Sequence, residues 1–124
     1  MTLLMEFPQS LTRLFIRDKI WKARQTRMRK FIKGTFELDQ NVTDLVEYEK
    51  KHETMLNNLV EWATRLNIAI NIGTSEDNTY LCEFKIVGAT ASYCRGLCSE
   101  LKQMLKAEFP KTKSIWQGSG NVLF

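Results

Sequence analysis

One histidine, two prolines and three cysteines stand among 124 residues, and no apolar run is longer than a few residues. Runs that short exclude a transmembrane helix, which needs about 20 predominantly apolar residues in succession. Cys82, Cys94 and Cys98 are an odd number with no paired framework, which points to a reducing cytoplasm. The single histidine, His52, lies far from them in sequence, so a zinc site lacks a fourth ligand at a sensible spacing, and the thiols read as core residues. No metal or cofactor is expected. Phosphate-binding glycine loops and the HExxH and GxSxG motifs are absent, and His52 has no evident nucleophile beside it. It reads as a satisfied histidine on an apolar helix face rather than a catalytic base. The opening MTLLMEFPQSL has neither the basic start nor the sustained apolar run of a secretory signal.

What the chain does have is charge, and the charge is segregated. Residues 1–33 carry nine basic and two acidic groups, residues 34–89 four and ten, and residues 90–124 five and two. The net +4 is therefore the remainder of +7, −6 and +3 blocks. Half of the positive charge sits in residues 11–33, LTRLFIRDKIWKARQTRMRKFIK. At about 100° per residue, Leu14, Trp21, Met28 and Ile32 fall on one narrow apolar seam, which predicts a basic amphipathic helix capped by Ser10 and stopped by Gly34.

A helix with so thin a seam leaves its basic flanks for a partner. Phosphates of DNA or RNA suit Arg13, Arg17, Arg24, Arg27, Arg29, Lys30 and Lys33, with Trp21 and Phe31 available to stack on bases. An acidic protein surface is the alternative partner. Charge on both sides of the seam suits shallow membrane insertion poorly. The plainest account is a solvated face whose long side chains lie over the chain's own fold.

Beyond Gly34, Thr35 to Gln40 reads as a connector. Asn41 then caps a helix running from Val42 to Leu66, whose apolar face, with Leu45, Tyr48, His52, Leu56, Leu59 and Trp62, is broad enough for a core or a homodimer. The period then changes to two. Ile68, Ile70 and Ile72, followed after GTSEDNT by Tyr80, Cys82, Phe84 and Ile86, predict an antiparallel hairpin with one buried face. Thr90 caps a third helix over 91–108, ended by Pro110. In the tail, 111–124, Ile115 and Trp116 suit a third strand and GSG a hinge. Val122, Leu123 and Phe124 suit packing on the core or a dimer partner, or a docking peptide.

The expected fold is a single α+β domain over 1–124 in the order α-α-β-β-α, an antiparallel hairpin packed with a long amphipathic helix and a C-terminal helix, plus the basic N-terminal helix. The leading functional expectation is a non-enzymatic nucleic-acid-binding protein with little sequence specificity, since phosphate contacts position without reading bases. An interaction module (an adaptor, assembly factor or inhibitor) is the second. A third comes from Glu83-Phe84-Lys85. Helix, hairpin, Glu-x-Lys and helix, in that order, are similar to the arrangement in restriction-endonuclease-like nucleases. That resemblance implies carboxylates such as Asp77 and Glu83 around a divalent metal that activates water, with Lys85 stabilising charge on the attacked phosphate. The wet face of any half-exposed strand shows the same Glu-x-Lys spacing.

Overall fold

The computed structural model describes residues Leu3–Leu4 and 28–123. In chain order these form β1 (Leu3–Leu4), β2 (Met28–Asp39), α1 (Leu45–Lys51), α2 (Glu53–Arg65), β3 (Ala69–Thr74), β4 (Tyr80–Gly88), α3 (Ala91–Glu108) and β5 (Lys113–Leu123). The fold is α+β, with three helices and an antiparallel sheet of four long strands ordered β3-β4-β2-β5, to which the two-residue β1 adds beside β3. Each helical connection carries the chain over one intervening strand: α1 and α2 lead from β2 past β4 to β3, and α3 leads from β4 past β2 to β5. Two interleaved crossovers of this kind are the split β-α-β, or ferredoxin-like, connectivity.

Period-two alternation sends one side of each long strand to the helices. Ile32, Phe36 and Leu38 of β2, Ile70 and Ile72 of β3, and Tyr80, Cys82, Phe84 and Ile86 of β4 are buried there with Leu56, Leu59 and Trp62 of α2 and Cys94, Leu97, Cys98, Leu101 and Leu105 of α3. Phe36 and Phe84 stack at 5.2 Å between ring centres. All three cysteines are free and buried. Trp62 Nε1 donates to Glu100 Oε1 at 3.2 Å, tying α2 to α3.

Several expectations are corrected. The order is β-α-α-β-β-α-β once β2 and β5 are counted, not α-α-β-β-α. Met28 to Lys33, assigned to the basic helix, opens β2, and the supposed connector from Thr35 continues that strand. The remainder of the expected helix, 11–27, lies outside the described residues. Strand wins because β2 is hydrogen-bonded on both sides, to β4 and to β5, and buries Ile32, Phe36 and Leu38 on one side, whereas a helix would turn Leu38 away from the other two. Gly34 is therefore no helix stop. A Cβ there would lie 2.5 Å from the Trp116 carbonyl oxygen, so glycine permits the close approach of β2 and β5 beside the bulge between Thr35 and Phe36.

The helix expected from Val42 to Leu66 is two helices broken at His52, whose N–H closes the last turn of α1 on the Glu49 and Lys50 carbonyls. Asp44, not Asn41, is the first cap, accepting the Glu47 N–H at 3.1 Å, while Asn41 turns the chain with φ 59°. Leu56, Leu59, Trp62 and Ala63 are buried in the chain's own core, so that face is not open to a dimer partner. The hairpin, Thr90 as cap and α3 stand as expected, and Tyr93 in the first turn of α3 lies half-exposed against Gly88. The tail forms a full strand in which GSG is not a hinge. No helix among the described residues is long and apolar enough to cross a membrane.

Candidate nucleic-acid interface

Alternation that buries one side of the sheet presents the other away from the helices. Arg29, Phe31, Lys33, Thr35 and Glu37 of β2 share this second face with Glu83 and Lys85 of β4, Asn71 of β3, and Trp116, Gly118 and Gly120 of β5. The registers bring together residues from three charge blocks of the sequence. Lys33 stands directly opposite Lys85 on one side and Gly118 on the other, and Phe31 stands opposite Gly120.

Both lysines lean over one ring. Lys33 Nζ is 5.8 Å and Lys85 Nζ 5.4 Å from the centre of Phe31. Two ammonium groups directly opposed across a sheet repel, and among the described residues neither has a carboxylate partner. The nearby acids are engaged elsewhere: Glu83 accepts from Asn71 Nδ2 at 3.0 Å, and Glu37 is 3.5 Å from Lys113. A cation over an aromatic face recovers part of what repulsion costs.

The glycines of β5 complete the surface. A Cβ on Gly120 would meet the Phe31 ring at 3.0 Å, and one on Gly118 would lie 3.6 Å from the Trp116 ring. Each ring thus covers a strand position with no side chain, the arrangement by which aromatics compensate for glycine in sheets. Trp116 is about half-exposed. Trp116 and Gly120 are about 13 Å apart along β5, with Lys33 opposite the middle of that span. The result is two aromatic rings and two unneutralised ammonium groups on one sheet face.

Of the residues expected to touch nucleic acid, Arg29, Phe31 and Lys33 share this face. Lys30 points to the opposite side, where its Nζ meets Asn121 Oδ1 at 2.5 Å and it lines a cleft of about 260 Å³ with Arg95. Arg13, Arg17, Trp21, Arg24 and Arg27 lie outside the described residues. The Glu-x-Lys residues are divided: Glu83 and Lys85 occupy β4, whereas Asp77 sits in the hairpin turn, where its carboxylate accepts from the Ser75 hydroxyl and the Thr79 N–H. Those bonds hold Asp77 below the usual carboxylate range. Among the described residues no three His, Cys, Asp or Glu side chains gather as metal ligands. Trp116 and the glycines were missed as site residues, although Trp116-x-Gly118-x-Gly120 is a period-two pattern of one aromatic and two bare positions.

A second concave place lies at the far end of β2, a cavity of about 330 Å³ lined by Asp39, Tyr48, Lys51, His52, Glu108 and Phe109 among others. The His52 ring packs against those of Tyr48 and Phe109, which also touch each other, with Nδ1 2.7 Å from Glu108 Oε2. Tyr48 donates to Asp39 at 2.9 Å, and burial followed by that carboxylate raises its phenol above the ordinary range. Tyr80 donates to buried Glu49 at 2.9 Å and is raised likewise. These pairs satisfy one another and join α1, β4 and the end of α3. His52 is the satisfied histidine expected of it.

No family model, curated protein or solved structure matches this chain. Function is therefore read from the chemistry of the site itself.

Proposed function

We propose that the protein binds single-stranded nucleic acid on the sheet face that carries Phe31, Lys33, Lys85 and Trp116. Bases stack on the two rings, and the ammonium groups of Lys33 and Lys85 neutralise phosphates on either side of Phe31. The observation that carries this reading is the convergence of two directly opposed, unneutralised lysines over one aromatic ring. Stability alone disfavours that arrangement, and an anion with a flat apolar group relieves it. An antiparallel four-stranded sheet with aromatics on the side away from its helices is a surface on which other folds of this class stack bases. The basic residues Arg13, Arg17, Arg24 and Arg27, which precede β2 in sequence, add phosphate contacts whatever conformation they take. Stacking and phosphate contact discriminate little between bases, so the expected specificity is for single strands over duplex and is weak for sequence.

The test is fluorescence anisotropy of labelled single-stranded and duplex oligonucleotides over a salt series. Phe31→Ala and Trp116→Ala are each expected to cost about 1–3 kcal/mol of binding. Lys33→Gln and Lys85→Gln are each expected to reduce the salt slope by roughly one. Tight binding that none of the four changes places the interface elsewhere, and no binding at low salt removes the reading.

A further inference from the structure

We propose that β5 is an assembly edge, pairing antiparallel with β5 of a second copy of this chain to join two sheets into one. The proposal is independent of nucleic-acid binding. In the strand order β5 is an outermost strand, paired to β2 along one side, and no described strand pairs with its other side. At eleven residues it is a long edge, and an unpaired edge of this length offers a row of backbone donors and acceptors to any compatible strand.

Sheet edges are blunted with proline, inward charges, several lysines or a bulge, and the bulge in β5, at Ile115, leaves the run from Trp116 to Leu123 in unbroken register with β2. The segment KSIWQGSGNVL has no proline, and its only charge is Lys113 at one end. Its large apolar side chains, Ile115 and Trp116, are 48% and 49% exposed. The opposite outer strand of the long-stranded sheet, β3, receives β1 instead.

The occupant follows from the edge's own pattern. Two copies with net charge +4 repel, and β5 from Ser114 onward is a stretch where they meet without opposing like charges. Directly opposed residues in a sheet point to the same side, so a two-fold axis relating two antiparallel β5 strands must pass midway between the two copies of a single residue. An axis through Gln117 sets Trp116 of each copy against Gly118 of the other, and an axis through Gly118 sets it against Gly120. In either register the largest side chain on the edge meets a position that has none, while on the other side of the strand Gln117 meets its own copy or Ser119.

The experiment is sedimentation velocity of the full chain at micromolar to sub-millimolar concentration, for wild type, Gln117→Lys, Gln117→Glu and an equal mixture of the two variants, with circular dichroism as the check on folding. Wild type is expected to be a dimer. Each variant alone is expected to weaken it about fivefold or more through opposed like charges, and the mixture to restore it through opposite ones. Gln117→Cys or Gly118→Cys should also cross-link to its own copy under mild oxidation, because opposed Cα atoms in antiparallel strands lie at disulfide distance, while the three buried native thiols leave wild type uncross-linked. A wild-type monomer throughout the range overturns the proposal. So does a dimer that neither Gln117 variant weakens and neither new cysteine cross-links, as does a β5 edge protected from hydrogen exchange only when a different protein is added.

Discussion

At the scale of single residues, local chemistry and burial pull in separable directions. Cys82 is enclosed in the sheet core, and burial, helped by the charge of neighbouring Glu83, pushes its thiol up to about 12 from an ordinary 9.0. The folded value lies above the unfolded one, so the stabilisation is complete below about 9 and is lost as pH rises towards 12. Thermal melts across that window should fall steeply, and Cys82→Val, which keeps an apolar side chain of similar size, should fall less. A thiol reagent at neutral pH should label none of the three cysteines until denaturant is added, since Cys94 and Cys98 are buried and raised as well. That thiols as apolar as these belong to the core was legible from composition and spacing. That Phe31 carries two lysines was not, because Lys33 is its near neighbour and Lys85 is 54 positions away.

At the scale of elements, the hairpin and α3 were legible because each is specified by neighbours in sequence: a clean period of two about a turn, and a cap, an apolar stripe and a terminating proline. β2 was not. MRKFIK fits either period, and what selects strand is hydrogen bonding to β4 and β5, the latter about ninety residues further on. Gly34 records the difference. Gly34→Ala should cost about 2–4 kcal/mol in urea unfolding, because its Cβ meets backbone on β5 that a flexible side chain cannot vacate. A helix-stopping glycine at an exposed end would have cost far less. The break at His52 was equally hidden, since the apolar spacing from Leu45 to Leu66 continues through it. There the His52 ring meets Glu108, at the end of α3, a partner 56 positions away that no local window contains.

At the scale of the whole molecule, the sheet brings like charge together where the sequence kept it apart. Lys33 belongs to the basic block and Lys85 to the acidic one, yet the antiparallel register opposes them. Lys85→Glu should therefore stabilise the free protein by about 0.5–1 kcal/mol through a cross-strand pair with Lys33, while weakening nucleic-acid binding. Opposite signs in melting temperature and anisotropy would mark a surface arranged for a ligand at some cost to the fold. Equal signs would make the pair structural.

The sequence by itself determined an α+β composition, the buried thiols, the hairpin, α3 and the segregation of charge, because each is set by side-chain type or by periods of two and 3.6 over a few turns. Tertiary structure alone decided that a basic, ambiguous segment enters as a central strand, that one long apolar repeat is two helices, and that Phe31, Lys33, Lys85, Trp116 and two glycines share a face. Those outcomes depend on pairing between strands distant in the chain, whose register is fixed by burial and backbone hydrogen bonds that no local window contains.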